Sequence, residues 1–525
     1  MGISGRLLLG SVASLGVASL GAVCRAQAAD LPVKAKPIEY MRICGLYGAG
    51  FWYIPGTDTC MKIGGYLRVD ADYNAGVHDN PFWNGDGGQG LGRGNRYSNE
   101  INARPRMALT VDTRTATEYG VVRTFGSAYF QFTTLSGGTF NPNSLNTNLG
   151  NNTNLLDTPG GGTVTANFLF IQFAGFTFGK SSSAYATPWH GFLANNTSFL
   201  LGGHNTDDGV NNIQYTAQFG NGVSGTIGLD DPVVFNRTNI FNLATGLNAT
   251  LTTGNAYGGV HAPDVVGNIR VDQAWGVFQI SAAAHLVNAS YDVLTASTAA
   301  PTALSEIGGH PSDKWGGSVM AGLNIKNVPT GPADDFKMDV SYAKGDTKNV
   351  ISTAATSPSF AMFGGTGNPL AYQSIGFGAT TDAVWLPVLA GGDGTLHLTE
   401  AYGFRAALTH NWNPNWNSSL FGSYSAVRHD GTAKAAICAT YTTPAKAVSA
   451  DYTCDPDFNV SQLGVITRWT PVKNLTFSSE VFWNHLDQKF TGTATLAPSA
   501  PKPLAIYEFK DQNTVSLNVR AQRNF

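Results

Sequence analysis

Apolar and polar side chains alternate with a period of two along most of the chain beyond residue 60, and strands with two unlike faces satisfy that pattern. In residues 66–73, Leu67, Val69, Ala71 and Tyr73 share one face, with Arg68, Asp70 and Asp72 on the other. Residues 101–112 repeat the arrangement: Ile101, Ala103, Met107, Leu109 and Val111 oppose Asn102, Arg104, Arg106, Thr110 and Asp112. Leu463, Val465 and Trp469 face away from Gln462 and Arg468. Leu475, Phe477, Val481 and Trp483 do the same against Thr476, Ser478, Glu480 and Asn484. The last such segment sets Val515, Leu517, Val519, Ala521 and Phe525 against Asn518, Arg520, Gln522 and Asn524.

Alternation also suits a soluble sandwich, so the connections decide between the two. Tight turns are expected near 117–120, 174–175, 220–222, 275–276, 329–335, 413–415 and 471–474. Between them lie long stretches rich in Gly, Asn, Ser and Thr, at roughly 74–100, 134–164, 181–209, 231–263, 289–313, 346–400, 429–457 and 487–512. Short and long connections taking turns predict an all-β fold, a transmembrane antiparallel β-barrel of about sixteen strands with both ends on the short-turn side. A barrel of that size encloses water rather than a side-chain core.

Composition agrees. Only 13% of the 525 residues are charged, 11% are aromatic and 62 are Gly, as expected of a wall with an apolar outside and a neutral-polar inside. A net charge of −3 supplies no attraction to nucleic acid. Beyond the amino-terminal segment no apolar run approaches the roughly 18 residues of a spanning helix. The longest candidate, 168–178, is broken by Gln172 and Gly175.

Residues 1–28 read as an export signal: Arg6, an apolar stretch from Leu7 to Val23, and the small-residue site Ala26-Gln27-Ala28. Cys24 raises a lipidation alternative, but Gly21-Ala22-Val23 lacks the flanking residues lipidation uses. The expected layout is a signal over 1–28, an amino-terminal segment over 29–60 and the barrel over 61–525. The other four cysteines form two equally spaced pairs, Cys44 with Cys60 and Cys438 with Cys454. In an oxidising compartment these are expected to be two local disulfides, each contributing about 3 kcal/mol in the chain-entropy model. Neither pair has nearby histidines, so no metal is expected, and no cofactor. Tyr73, Trp275, Trp315, Trp412, Trp416 and Trp469 lie near strand ends and suit interfacial girdles.

Several segments resemble the rhizobial-type outer-membrane porin family of alphaproteobacteria. Ala29-Asp30-Leu31-Pro32 leads to a cysteine-bounded stretch that opens Cys44-Gly45-Leu46-Tyr47 and closes Thr57-Asp58-Thr59-Cys60, followed by Lys62-Ile63-Gly64-Gly65-Tyr66-Leu67-Arg68. Thr117-Glu118-Tyr119-Gly120, the segment 173–180 and the segment 468–475 continue the likeness toward Phe525. The resemblance implies a homotrimeric sixteen-stranded channel for passive diffusion of small hydrophilic solutes, set among outer-membrane lipid and lipopolysaccharide. It also implies that the barrel assembly machinery reads Phe525.

In such barrels the loop after the fifth strand folds inward as a constriction, here about 181–209. It carries Asp207 and Asp208, with His190 and His204 as pH-sensitive neighbours. Inward wall positions supply Arg68, Arg104, Arg106, Arg123, Arg270, Arg405, Arg468 and Arg520, so an acidic loop facing a basic wall would set a transverse field. Each arginine has a plainer reading as a lumen ion pair, for example Arg68 with Asp70 or Asp72 and Arg270 with Asp272. Enzyme motifs fail. Gly85-Asp86-Gly87-Gly88-Gln89-Gly90 has dinucleotide-loop spacing without the flanking strand and helix, and the glycines around Phe176-Thr177-Phe178 sit in a strand pattern. A solute-specific channel and a structural or adhesive barrel are the other readings, separable from a general pore by conductance.

Overall fold

A computed structural model of the chain describes residues 42–75, 101–133, 161–204, 208–233, 237–351, 359–441, 447–498 and 502–525. The export signal, Cys24, the 85–90 glycine motif and Asp207 lie outside these residues.

Sixteen strands close on themselves. They are β1 (Cys60–Tyr73), β2 (Ile101–Thr117), β3 (Gly120–Thr133), β4 (Gly161–Phe173), β5 (Phe176–Ser181), β6 (Val210–Gly220), β7 (Val223–Asp230) and β8 (Asp264–Gln273). The second half comprises β9 (Gly276–Val287), β10 (Lys314–Lys326), β11 (Asp335–Lys344), β12 (Glu400–Asn413), β13 (Trp416–Arg428), β14 (Phe458–Val472), β15 (Leu475–Gln488) and β16 (Gln512–Asn524). Neighbours in sequence pair antiparallel throughout, and β1 pairs with β16 to shut the cylinder. Every expected tight turn joins two strands at one end, and every expected long connection leaves from the other.

The pleat explains the pattern, because consecutive side chains on a strand point to opposite faces. Leu67, Val69, Val465, Val481, Val515 and Val519 are exposed on the outside, while Asp70, Asp72, Asn484 and Asn518 are buried inside. Trp275, Trp412, Trp416 and Trp469 ring the short-turn end, and Tyr73 and Trp315 stand exposed at the long-loop end. At the seam, Phe525 N–H donates to Gly65 O (3.1 Å) and Gly65 N–H to Phe525 O (3.3 Å). Gly65 has φ +154°, and a Cβ there would meet Ala108 O at 2.0 Å and the Phe525 ring at 3.1 Å. Glycine is thus required where the closing strand crosses.

Before β1, a disulfide joins Cys44 to Cys60, and Trp52–Tyr53 pairs with the start of β1. Several of the described long loops carry structure of their own. Asn239–Asn242 runs parallel to Thr381–Trp385, and Gln373–Ala379 runs parallel to Ala505–Phe509. Helix α1 (Gly431–Tyr441) packs on them through Ala433, Ile437 and Tyr441, and the Cys438–Cys454 disulfide fastens its loop. Phe377, Phe490, Phe509 and Tyr441 fill the centre of this crown.

Candidate permeation site in the barrel lumen

The loop after β5 does fold inward. Most of it lies along the inner wall of β8–β16, held there by wall side chains that donate to its backbone carbonyls. Asn268 donates to Ala184 O (2.6 Å), Gln279 to Ala186 O (2.7 Å), Arg270 to Pro188 O (2.9 Å) and Lys337 to Leu193 O (3.0 Å). Arg468 donates to Ala194 O, Arg520 to Asn196 O (3.4 Å) and Arg405 to His204 O (2.8 Å). Gln462 serves the loop twice, donating to Phe199 O and accepting from Leu201 N–H, both at 2.7 Å. A loop leaves its carbonyls without strand partners, and buried carbonyls need donors, which the wall provides. Trp189, Leu193 and Leu200 complete the docking against inward Ala407, Phe421, Ile466 and Phe482.

Backbone space is as tight as the bonding. Arg405 forms a buried pair with Asp339 (3.0 Å), and a Cβ at Gly203 would sit 2.0 Å from Asp339 Oδ1. His204 donates from Nδ1 to Asn349 Oδ1 (2.9 Å), whose amide is itself turned toward Ser318 and Asp346. Burial, opposed by that hydrogen bond and aided by the nearby Arg405 charge, holds His204 down to about 4. The ring is therefore neutral at neutral pH. His190, by contrast, is exposed and rests on Phe168, with ring centroids 5.6 Å apart.

The sequence placed the arginines on inward positions, and the fold sorts them into different settings. Asp70 gathers Arg68 (3.2 Å), Arg104 (2.8 Å) and Arg520, three guanidinium groups on one carboxylate. Arg106 donates to the neutral amide of Gln131 (2.8 Å). Arg123 shares Asp112 with Arg114, at 3.0 and 2.9 Å. Arg270 pairs with Asp272 (3.0 Å) as well as with the loop. The loop from 182 to 204 carries no Asp, Glu, Lys or Arg, so along it the lumen acids belong to the wall. Asp208 sits half-buried at the foot of the loop, two residues before β6. Glu480 accepts from the backbone N–H groups of Asn196 and Thr197 and so acts as an anchor for the loop.

Sequence reasoning missed Gln462, Glu480 and Lys337 as loop anchors. Their inward parity was readable, but nothing local to them names a partner in a loop far away along the chain. It also passed over the inward rings of Tyr66, Phe125, Tyr129 and Phe170 on β1–β4. They follow the same parity as Arg68, Arg106 and Arg123 and could have been found from it.

A closed sixteen-stranded wall, apolar outside and polar inside, with one loop laid along its lumen, defines a channel barrel of the bacterial outer membrane. The chain belongs to the porin family: the model described as "Porin subfamily" matches residues 30–518. It is similar to Porin Omp2b of Brucella abortus (strain 2308), 32% identical over 276 residues, which is 51% of this chain and 62% of that relative. Porin Omp2b of Brucella suis biovar 1 (strain 1330) is likewise 32% identical over 277 residues. The match thus spans less than two thirds of these relatives' length. In fold the chain is similar to the outer membrane channel DcaP of Acinetobacter baumannii, with a TM-score of 0.53 at 16% identity, covering 90% of this chain and 99% of that one.

Proposed function

We propose that this protein forms a water-filled pore through which small hydrophilic solutes and ions diffuse passively across the outer membrane, general rather than solute-specific. The observation that supports it is the one-sided placement of the inward loop. With that loop against β8–β16, inward residues such as Arg114, Arg123, Gln172, Thr216 and Thr226 keep half-exposed side chains within the barrel. Water reaching those groups is the medium of passage, and the pore moves solutes without transforming them.

The working unit in this reading is a homotrimer among outer-membrane lipid and lipopolysaccharide, exported by residues 1–28. Phe525 presents its ring at the seam, where the barrel assembly machinery would read it. The wall arginines and Asp207 and Asp208 bias which ions enter. Planar-bilayer recording of the purified, folded protein tests the proposal: stepwise ohmic conductance is expected, and folded protein that conducts nothing would overturn it in favour of a structural barrel. Deleting Phe525 should lower the yield of assembled barrel while leaving the conductance of what does assemble unchanged.

A further inference from the structure

Inward positions of a large barrel meet water and are normally polar. On β1–β4 this rule is broken by Tyr66, Phe125, Tyr129 and Phe170, all on inward register positions and all only half-buried. The apolar residues Trp189, Leu193 and Leu200 of the inward loop pack on the opposite arc, and on this one the loop meets Phe168, not these four rings, through His190. Each ring lies instead under a guanidinium group. Phe125 and Phe170 stack with centroids 5.3 Å apart and an interplanar angle of 27°, and the Arg123 guanidinium lies 5.1 and 5.5 Å from the two centroids. One step up the wall, Tyr66 and Tyr129 lie 6.2 Å apart, with Arg106 4.5 Å over Tyr129 and Arg68 5.3 Å over Tyr66.

Tyr129 stands four positions along the same strand from Phe125, so the two units are about 13 Å apart at the rise of an extended chain. The Arg123 unit carries surplus positive charge, because Asp112 neutralises only one of Arg114 and Arg123. At the other, nearly buried unit Arg106 binds the uncharged Gln131. A guanidinium group binds a carboxylate through charge-assisted hydrogen bonds, and its flat face and the ring beneath it both accept a stacked π-system.

We infer that the β1–β4 face of the lumen is a binding track, entered at the half-exposed Arg123–Phe125–Phe170 unit, for small organic anions that carry a flat unsaturated ring, aromatic carboxylates being the simplest class. The track rests on the pore reading above and adds a weak preference within it. A carboxylate alone engages only the arginines, a ring alone only the aromatics, and an aromatic cation is repelled.

The test is bilayer recording of the wild-type protein in potassium chloride with three probes: benzoate, cyclohexanecarboxylate and benzylammonium. Benzoate should interrupt the current saturably, at about fivefold lower concentration than cyclohexanecarboxylate, with benzylammonium weakest of the three. Phe170→Leu, which keeps apolar volume without the π face, should remove the advantage of benzoate over cyclohexanecarboxylate. Arg123→Lys, which keeps charge without the planar fork, should weaken both acids. Equal block by the two acids in the wild type, or none by either, would overturn the track while leaving the pore intact. A folded protein with no conductance at all would sink the pore and the track together.

Discussion

The two arcs of the lumen use the same residue type in opposite ways. On β8–β16, Arg405, Arg468 and Arg520 spend their donors on loop carbonyls and wall carboxylates. On β1–β4, Arg68, Arg106 and Arg123 lie over rings, next to half-exposed wall positions. The first arc is architecture, because a buried cation must be matched by acceptors wherever it stands. On the second, Arg123 keeps its charge half-exposed toward the lumen, whereas Arg68 and Arg106 are nearly buried. Inward parity alone does not assign an arginine to either role; the segment packed on it does.

The largest expected effect tests the architectural arc. Arg405→Ala leaves Asp339 buried without its cation, which should cost about 3–5 kcal/mol of stability and make the current noisy. Denaturant unfolding of the refolded barrel measures it, and a loss under 1 kcal/mol, an order-of-magnitude bound, would erase the distinction between the arcs. Removing the Cys438–Cys454 disulfide with a double serine variant sharpens the comparison from outside. The crown should lose about 3 kcal/mol, and accelerated proteolysis there should leave ion selectivity unmoved. If selectivity changes, the crown takes part in the lumen.

The arcs should also differ in pH response. His204 has a folded pKa near 4 against an ordinary 6.5, so the unfolded chain binds the extra proton between those values. Loop docking is then at full strength above about pH 6.5 and weakens as the pH falls toward 4, by the linkage of proton binding to folding. Current noise recorded at pH 7.5 and 4.5 reads this, and His204→Asn should flatten the difference. Arginines stay charged throughout that range, so selectivity should hold while the loop loosens. The smallest effect on stability belongs to the other arc. Arg68→Gln with Arg106→Gln should move the reversal potential in a salt gradient toward cations, with a stability change of about 1 kcal/mol. An unmoved reversal potential would take both residues out of the conducting path.

Much of the wall is legible in the sequence. Leu67 to Tyr73, Ile101 to Val111 and Val515 to Val519 declare their faces by alternation, and Asn413-Pro414-Asn415 or Asn221-Gly222 declare the turns between strands. Both are properties of neighbours in sequence, and so is the pairing of cysteines 16 residues apart. The crown was not legible. Its strands are short, and two of its pairings are parallel joins between different long loops. Such joins depend on the barrel bringing the loops together, since parallel neighbours need long connections.

The sequence by itself therefore determined a closed sheet, its inside and outside and its count of strands, because a two-residue period and turn chemistry are local; the inward loop was implied only by the family resemblance. Tertiary structure decided which arc that loop occupies and, with it, which arginines hold the protein together. The contacts responsible join residues as distant as Asn196 and Arg520, 324 positions apart. No pattern within a single strand records such a contact, because only closure of the barrel brings β16 within reach of the loop after β5.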